Sequence, residues 1–252
     1  MKIFDLRGKR ALVVGGAGDL GFAIMEGLLE AGASAVSIDI DPKVHDQAMH
    51  LRHRGFSCHA LQVDISDRDA IKTSVNDAVQ MLGGDIGILV NSAGIQRRSP
   101  SESFPEKDWD DVIAINLTAA FIYSQKVAEP MISNGSGKII NVASIMSYFG
   151  GITIPAYAAS KGGLAQLTKA LSNDWAAKGI CVNAIAPGYI DTQLNTTLIS
   201  DEKRSSEVLL RTPAKRWGVP ADMKGVAIFL ASAASDFITG SIIPVDGGYS
   251  AR

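Results

Sequence analysis

Short apolar stretches rich in β-branched residues alternate along the chain with longer stretches in which apolar residues recur at helical spacing. Because the short stretches lack the apolar–polar alternation of a half-exposed strand, they predict strands buried on both faces of a parallel sheet. The strands are predicted at residues 10–14, 35–39, 58–63, 86–90, 137–142, 180–185 and 241–245. Helical patterns fill the intervals, most clearly at residues 69–82, 109–132 and 156–177.

Strands that alternate with helices indicate right-handed βαβ crossovers, so the predicted fold class is α/β. We expect a single doubly wound, Rossmann-type domain over residues 1–252, with about seven parallel strands and helices on both faces of the sheet. Residues 192–219 break the rhythm, because they are polar and carry Arg204, Arg211 and Arg216. A long polar segment inside a compact domain is often functional, and we interpret residues 192–219 as a candidate substrate lid.

The composition excludes several classes of function. The 252 residues include 24 Lys and Arg and 26 Asp and Glu, and this balance argues against a nucleic-acid partner. No stretch of about 18 apolar residues is present, and the first seven residues are too charged for a secretion signal, so no membrane association is expected. The two cysteines fit a reducing, cytoplasmic location. The four histidines all fall within residues 45–59 without a metal-ligand spacing, so no metal site is predicted.

Residues 14–21, with the sequence Val-Gly-Gly-Ala-Gly-Asp-Leu-Gly, join the first predicted strand to the first predicted helix. Glycines in such a turn let the backbone approach a pyrophosphate, which the N–H groups at the start of the helix then bind. A glycine-rich turn alone is weak evidence, but its place between a strand and a helix fits a dinucleotide-binding motif. Asp39 ends the second strand, where a carboxylate accepts hydrogen bonds from ribose hydroxyls and repels a 2′-phosphate. NAD is therefore the predicted cofactor rather than NADP, and a solvated strand-end aspartate is the alternative interpretation.

Tyr157 and Lys161 are four residues apart in a predicted helix and therefore share one of its faces. A free tyrosine has a pKa of about 10, and a nearby ammonium lowers it by favouring the phenolate. Such a tyrosine can exchange a proton with a substrate hydroxyl while a hydride moves to or from nicotinamide. Taken alone, the pair is more often an ordinary helix-surface contact. Ser144 and other polar or glycine residues, however, follow predicted strands at the sheet edge where open α/β sheets bind ligands.

In order and spacing, these motifs resemble those of the short-chain dehydrogenase/reductase family over essentially the whole chain. The resemblance implies that Tyr157 is the acid/base and that Ser144 orients the substrate oxygen. It further implies that Lys161 lowers the pKa of the tyrosine and holds the nicotinamide ribose, and that Asn116 anchors a water. The cofactor contacts that it implies are Gly15, Gly18, Asp19, Leu20, Gly21, Asp39, Asp64, Ile65, Asn91, Ala93, Gly94, Tyr157, Lys161, Pro187, Gly188, Ile190 and Thr192. Family members are usually homotetramers, with the helices predicted at 109–132 and 156–177 packed against neighbouring subunits.

The chain departs from the family pattern at three positions. Val14 stands in place of the usual Thr, Ser92 in place of an Asn, and Asp19 in place of a central Gly. Asp19 is the least expected of the three, because an anion beside a pyrophosphate is unfavourable unless its side chain points away.

Within the family, the chain is most similar to sugar-acid dehydrogenases, namely those of 2-dehydro-3-deoxy-D-gluconate or 2-deoxy-D-gluconate and, more loosely, of gluconate. A sugar acid carries a carboxylate, which arginine binds bidentately. The predicted substrate contacts are Arg97, Arg98, Ser144, Met146, Ile154 and Tyr157, with Arg211 and Arg216 as further candidates for the carboxylate. For each arginine alone, a solvated surface position is the alternative.

The predicted function is therefore NAD-dependent interconversion of a secondary alcohol and a ketone on a sugar acid. Two alternatives stay open. The first is a dehydrogenase of the same family that acts on another polyol, sugar, steroid or acyl substrate. The second is a non-catalytic dinucleotide-binding sensor, which the presence of both Tyr157 and Lys161 disfavours.

Overall fold

The computed structural model describes residues 2–252. The strands are β1 (Arg10–Val14), β2 (Ser34–Asp39), β3 (Cys58–Gln62), β4 (Ile88–Asn91), β5 (Gly137–Val142), β6 (Ile180–Pro187) and β7 (Ile242–Val245). They form one parallel sheet in the order β3-β2-β1-β4-β5-β6-β7. The strand order reverses where β1 pairs with β4, and open α/β sheets bind ligands at this point.

The α-helices are α1 (Asp19–Glu30), α2 (Lys43–His53), α3 (Arg68–Leu82), α4 (Glu106–Ile113), α5 (Ala119–Ser133), α6 (Pro155–Trp175), α7 (Thr196–Ser200), α8 (Glu202–Arg211) and α9 (Lys224–Ala231). A π-helical segment, Ala114–Thr118, joins α4 to α5. None of the helices in residues 2–252 is both long and apolar enough to cross a membrane.

Two apolar layers attach the helices to the sheet, one on each face. Within β1, Val13 belongs to the layer under α1, α2 and α9, and Leu12 belongs to the layer under α3, α5 and α6. Successive strand side chains point to opposite faces, so the central strands carry apolar side chains on both faces of the sheet. Leu28 in α1 and Ile71 in α3 are fully buried, and burial of such a side chain stabilises the fold by about 1.5–3 kcal/mol.

The predicted fold class is confirmed, and every predicted strand boundary lies within two residues of the observed one. The helix predicted at 109–132 is instead α4, the π-helical segment and α5. The candidate lid, residues 192–219, contains a short 3-10 helix (Gln193–Asn195), α7 and α8. A β-bridge between Ile190 and Gly218 closes its base.

Candidate active site

The glycine-rich turn between β1 and α1 is packed too tightly against neighbouring backbone for a side chain at two positions. A Cβ atom on Gly15 would lie 2.4 Å from the backbone nitrogen of Ala93, and one on Gly21 would lie 2.1 Å from the carbonyl oxygen of Gly15. Gly15 also has a φ of +82°, which favours glycine. The turn therefore brings the start of α1 close to the loop after β4. The N–H groups in the first turn of a helix have no partner within the helix, so this arrangement fits a pyrophosphate.

Asp39, at the end of β2, is held beside this turn by backbone donors. Its Oδ2 accepts a hydrogen bond from the Ala17 N–H at 2.9 Å, and its Oδ1 accepts one from the Asp41 N–H at 3.0 Å. The nearby cation Lys43 is engaged with Asp41, with Nζ 3.4 Å from the carboxylate. A fixed carboxylate at this point suits ribose hydroxyls and opposes an additional phosphate.

The side chain of Asp19 extends from the start of α1 toward the candidate lid. Its Oδ2 accepts a hydrogen bond from the backbone N–H of Gln193 at 2.8 Å. Asp19 is half-buried. Asp19 is the residue that departs most from the family pattern. Its carboxylate accepts a hydrogen bond from the backbone of the distant Gln193.

Tyr157 and Lys161 lie one turn apart on α6, and Ser144 follows β5 across from them. The Nζ atom of Lys161 is 5.8 Å from the centre of the Tyr157 ring and donates a hydrogen bond to the Val142 carbonyl at 2.7 Å. The Oγ atom of Ser144 accepts a hydrogen bond from the Met146 N–H at 3.1 Å, which fixes its orientation. The three side chains line one cavity, so a substrate oxygen can reach Ser144 and Tyr157 together.

Burial dominates the electrostatics of this group. It raises the pKa of Tyr157, while hydrogen bonding with Ser144 lowers it in part. Burial also lowers the pKa of Lys161 to about 8. In the protein without cofactor, Tyr157 is therefore protonated at neutral pH, and Ser144 is the neighbour that favours its phenolate. The lowering of the Tyr157 pKa that the sequence predicts from Lys161 is outweighed by burial.

The depressed pKa of Lys161 predicts a measurable pH dependence of stability. Below pH 8, Lys161 is charged in both the folded and the unfolded protein. The full free-energy cost of burying that charge then lowers the stability of the folded state. Between pH 8 and 10.5 the unfolded chain binds a proton that the folded protein does not, so stability rises with pH. Relative to Lys161→Met, the wild type should gain up to about 3 kcal/mol of unfolding free energy across this window. Urea denaturation of both proteins between pH 7 and 10 measures the difference, and a constant difference would contradict the burial of a titrating amine.

Asn116 lies in the π-helical segment and is almost fully buried. Its Oδ1 accepts a hydrogen bond from the Ile95 N–H at 2.8 Å, and its Nδ2 donates to the Ile95 carbonyl at 3.0 Å and to the Ser160 hydroxyl at 3.0 Å. The side chain therefore joins the loop after β4 to the helix that carries Tyr157. Segments of π-helix are frequent at functional sites.

A cavity of about 1220 Å³ extends from the glycine-rich turn past Tyr157 to the candidate lid. This continuity fits a dinucleotide whose nicotinamide end meets the substrate. The predicted residues that line it are Gly15, Gly18, Asp19, Leu20, Gly21, Gly94, Arg98, Ser144, Met146, Ile154, Tyr157, Lys161, Pro187, Gly188, Ile190, Thr192 and Arg211. Residues 2–252 contain no cluster of His, Cys, Asp or Glu placed to hold a metal ion.

Other predicted residues lie outside the cavity lining, namely Asp39, Asp64, Ile65, Asn91, Ala93, Arg97 and Asn116. Asn91 is buried and donates to Asn141 Oδ1 at 2.9 Å, so it links β4 to β5. The Nε atom of Arg97 lies 3.7 Å from Oδ1 of Asp108. The further candidate Arg216 forms a two-pronged ion pair with Asp222. The structure therefore keeps Arg98 and Arg211 as candidates for a substrate carboxylate.

Many residues that line the cavity are absent from the predicted contacts, and among them are Arg204, Glu207 and Tyr249. Arg204 and Glu207 share the cavity-facing side of α8 with Val208 and Arg211. Residues at this spacing lie on one face of a helix. The sequence therefore predicts that they line the cavity together once residues 202–211 are known to form a helix. Tyr249 arrives from the C-terminal end of the chain, where its ring lies 4.3 Å from the guanidinium carbon of Arg211.

Comparisons with known proteins agree with this geometry. Residues 15–250 match the family model described as enoyl-(acyl carrier protein) reductase. The chain is 45% identical over 255 residues to 2-dehydro-3-deoxy-D-gluconate 5-dehydrogenase of Escherichia coli (strain K12), a match that covers 100% of this chain and 99% of that protein. It is 41% identical over 247 residues to 5-keto-D-gluconate 5-reductase of the same organism, and this match covers 98% of this chain and 97% of that protein.

A solved structure from Agrobacterium tumefaciens, described as a 2-deoxy-D-gluconate 3-dehydrogenase with bound NADP, matches with a TM-score of 0.93. It is 45% identical, and the match covers 100% of both chains. Sequence, fold and the arrangement of Ser144, Tyr157 and Lys161 therefore lead to one conclusion: the chain belongs to the short-chain dehydrogenase/reductase family.

Proposed function

We propose that this protein is an NAD-dependent dehydrogenase that interconverts a secondary alcohol and a ketone on a sugar acid, either a hexonate or a deoxy-hexulosonate. The observation that carries the proposal is the composition of one cavity. Ser144, Tyr157 and Lys161 line this cavity together with Arg98 and Arg204. Proton-transfer groups and anion-binding groups in a single cavity suit a substrate that has both a hydroxyl and a carboxylate.

The acid/base chemistry follows from the positions of the side chains. When bound, the nicotinamide cofactor supplies or accepts the hydride, and the positive charge of its oxidised ring favours the Tyr157 phenolate. In the direction of reduction, Tyr157 donates its proton to the carbonyl oxygen while the Ser144 hydroxyl orients that oxygen. In the direction of oxidation, Tyr157 removes the hydroxyl proton. With the cofactor bound, the charge of Lys161, which is held by the Val142 carbonyl, adds to that of the oxidised ring in favouring the phenolate.

The arginines account for recognition of the carboxylate. Among the described residues, the side chains of Arg98, Arg204 and Arg211 form no salt bridge. Burial and the positive charge of Arg204 lower the pKa of Arg98. Arg211 is stacked against Tyr249, which leaves Arg98 and Arg204 as the pair for an anionic ligand.

Replacing Arg98 with Gln should raise KM for the sugar acid by about 10- to 100-fold, because the loss of a charged hydrogen-bonding partner costs roughly 1.5–3 kcal/mol. Binding of NADH, measured by fluorescence titration, should stay unchanged. Arg97→Gln is the matched control, since that neighbouring arginine lies outside the cavity and close to Asp108. Equal effects of the two substitutions would contradict a carboxylate site at Arg98.

The function itself is tested by following NADH at 340 nm across a panel of gluconate, 2-deoxygluconate, 3-deoxy-hexulosonates, uronates, neutral polyols, an acyl thioester and a steroid. We expect turnover on one or more sugar acids and little on neutral polyols. Turnover confined to the steroid or the acyl thioester would overturn the sugar-acid assignment. NADH binding without turnover of any of these compounds would favour the non-catalytic sensor.

We also propose a homotetramer that assembles through α4, α5 and α6. Trp109 on α4 and Phe121 on α5 are about two-fifths exposed, and exposed apolar side chains on neighbouring helices suit a subunit interface. Light scattering of the purified protein tests the assembly, because a monomer mass at micromolar concentration would contradict it.

A further inference from the structure

The lid, residues 192–219, is connected to the sheet through a narrow base. The Asp191 N–H donates to the Gly218 carbonyl at 2.8 Å, and the Gly218 N–H donates to the Tyr189 carbonyl at 3.0 Å. A Cβ atom on Gly218 would lie 2.3 Å from Ile190 Cδ1, so the two ends of the lid touch. Between these ends, the position of the lid depends on its contacts with the rest of the protein.

At the substrate end, the lid is attached to the C-terminal segment. The Arg211 guanidinium lies over the ring of Tyr249, and the Arg252 guanidinium donates to the Leu210 carbonyl at 3.3 Å. Tyr249 in turn lies edge-on to Tyr189, with 5.1 Å between ring centres. These contacts fix α8 over the cavity but do not reach the glycine-rich turn.

At the cofactor end, the lid begins with the 3-10 helix at Gln193. Its N-cap residue, Thr192, makes no side-chain capping bond, and the Thr192 hydroxyl instead donates to the Ile190 carbonyl at 3.4 Å. The Gln193 N–H donates a hydrogen bond to Asp19 Oδ2 at 2.8 Å. Asp19 lies 174 positions earlier in the chain. Asp19 is the first residue of α1, where the helix dipole stabilises a carboxylate.

We propose that Asp19 is a positioning residue that latches the lid to the glycine-rich turn. By accepting the Gln193 N–H, its carboxylate holds the start of the lid across the mouth of the dinucleotide cleft. Leu198, Arg204 and Val208, which line the cavity from the lid, are thereby kept over the site. The same bond directs the charge of Asp19 toward a lid donor, which accounts for an aspartate at a position where the family usually has glycine.

Two substitutions separate the hydrogen bond from the charge. Asp19→Gly introduces the usual family residue and removes the acceptor. Asp19→Asn removes the charge and keeps a side-chain oxygen that can accept the Gln193 N–H. If the latch is the hydrogen bond, the asparagine variant should keep the wild-type opening of the lid and the glycine variant should not.

Limited digestion with trypsin, in the absence of cofactor and substrate, measures how often the lid opens. Lys203, Arg204 and Arg211 are exposed cleavage sites in the lid, and Lys72 on α3 is an exposed site elsewhere. Loss of one hydrogen bond changes an opening equilibrium by about fivefold, so we expect about fivefold faster lid cleavage in Asp19→Gly and less than about twofold in Asp19→Asn. Cleavage at Lys72 should not change.

Steady-state kinetics with the sugar acid provide a second measurement of the latch. This measurement rests on the proposed function, whereas the trypsin digestion does not. Asp19→Gly should raise KM for the sugar acid about fivefold and change kcat less. Equal lid cleavage in all three proteins would overturn the proposal. So would an asparagine variant that matches the glycine variant, since charge and not the hydrogen bond would then be responsible, or faster cleavage that includes Lys72.

Discussion

Replacing Tyr157 with Phe should lower kcat by about 10²- to 10⁴-fold, the usual contribution of a positioned general acid or base. The substitution removes one oxygen atom from a ring that lines the cavity beside Lys161 and Ser144, so it leaves the shape of the site nearly unchanged. Steady-state rates with the best sugar acid, together with NADH affinity from fluorescence titration, measure the effect. The affinity should stay within about twofold, because the substitution leaves the glycine-rich turn intact.

Tyr123→Phe is the matched control for this substitution. Tyr123 is fully buried on α5, its hydroxyl lies 3.0 Å from that of Ser74, and burial raises its pKa to about 12. Removal of its oxygen should lower stability and leave kcat unchanged. A Tyr157→Phe enzyme with full turnover would contradict the acid/base role, and equal losses in the two variants would indicate a general structural effect.

The second large effect concerns the choice of cofactor at Asp39. We expect the wild type to use NAD at least about tenfold more efficiently than NADP, because a carboxylate close to a phosphate costs several kcal/mol before solvent screening. Asp39→Asn should shift the ratio of kcat/KM values toward NADP by about 10- to 100-fold. The asparagine keeps a side-chain oxygen for the Ala17 N–H, which bonds Asp39 at 2.9 Å, so the turn itself should survive. Initial rates with each cofactor at saturating sugar acid provide the ratio.

The relative from Agrobacterium tumefaciens was solved with NADP, so this prediction distinguishes the present chain from a similar protein. Asp46→Asn makes the same change of charge at an exposed position on α2 and should leave the ratio unaltered. A wild-type enzyme that prefers NADP would overturn the role given to Asp39. A shift of equal size in Asp46→Asn would assign the effect to net charge alone.

The sequence predicts the sheet well because the strands are buried on both faces. A short apolar run such as residues 11–14 of β1 has few alternatives to a buried strand once helices separate it from the next run. The glycine spacing at residues 15–21 then predicts the turn that follows. The motif that includes Ser144, Tyr157 and Lys161 likewise predicts one shared cavity, because strand ends and the following helices meet at a single sheet edge.

The sequence does not predict features that depend on contacts between distant segments. The π-helical segment around Asn116 continues the apolar pattern of its neighbours, so periodicity alone reads α4 and α5 as one helix. The bond from Asp19 to Gln193 joins residues with no local relation. The separation of Arg98 from Arg97 depends on which side chain turns into the cavity and which approaches Asp108. The sequence shows only that both are arginine.

Transfer of deuterium tests the central claim most directly. The enzyme would reduce 5-keto-D-gluconate, or the best keto acid from the panel, with NADH that carries two deuterium atoms at C4 of the nicotinamide, and the product would be examined by NMR. Hydride transfer to a secondary carbon beside Tyr157 predicts one deuterium atom on the carbon that was the ketone. A reduced product with hydrogen at that carbon, or deuterium at any other carbon, would contradict the account.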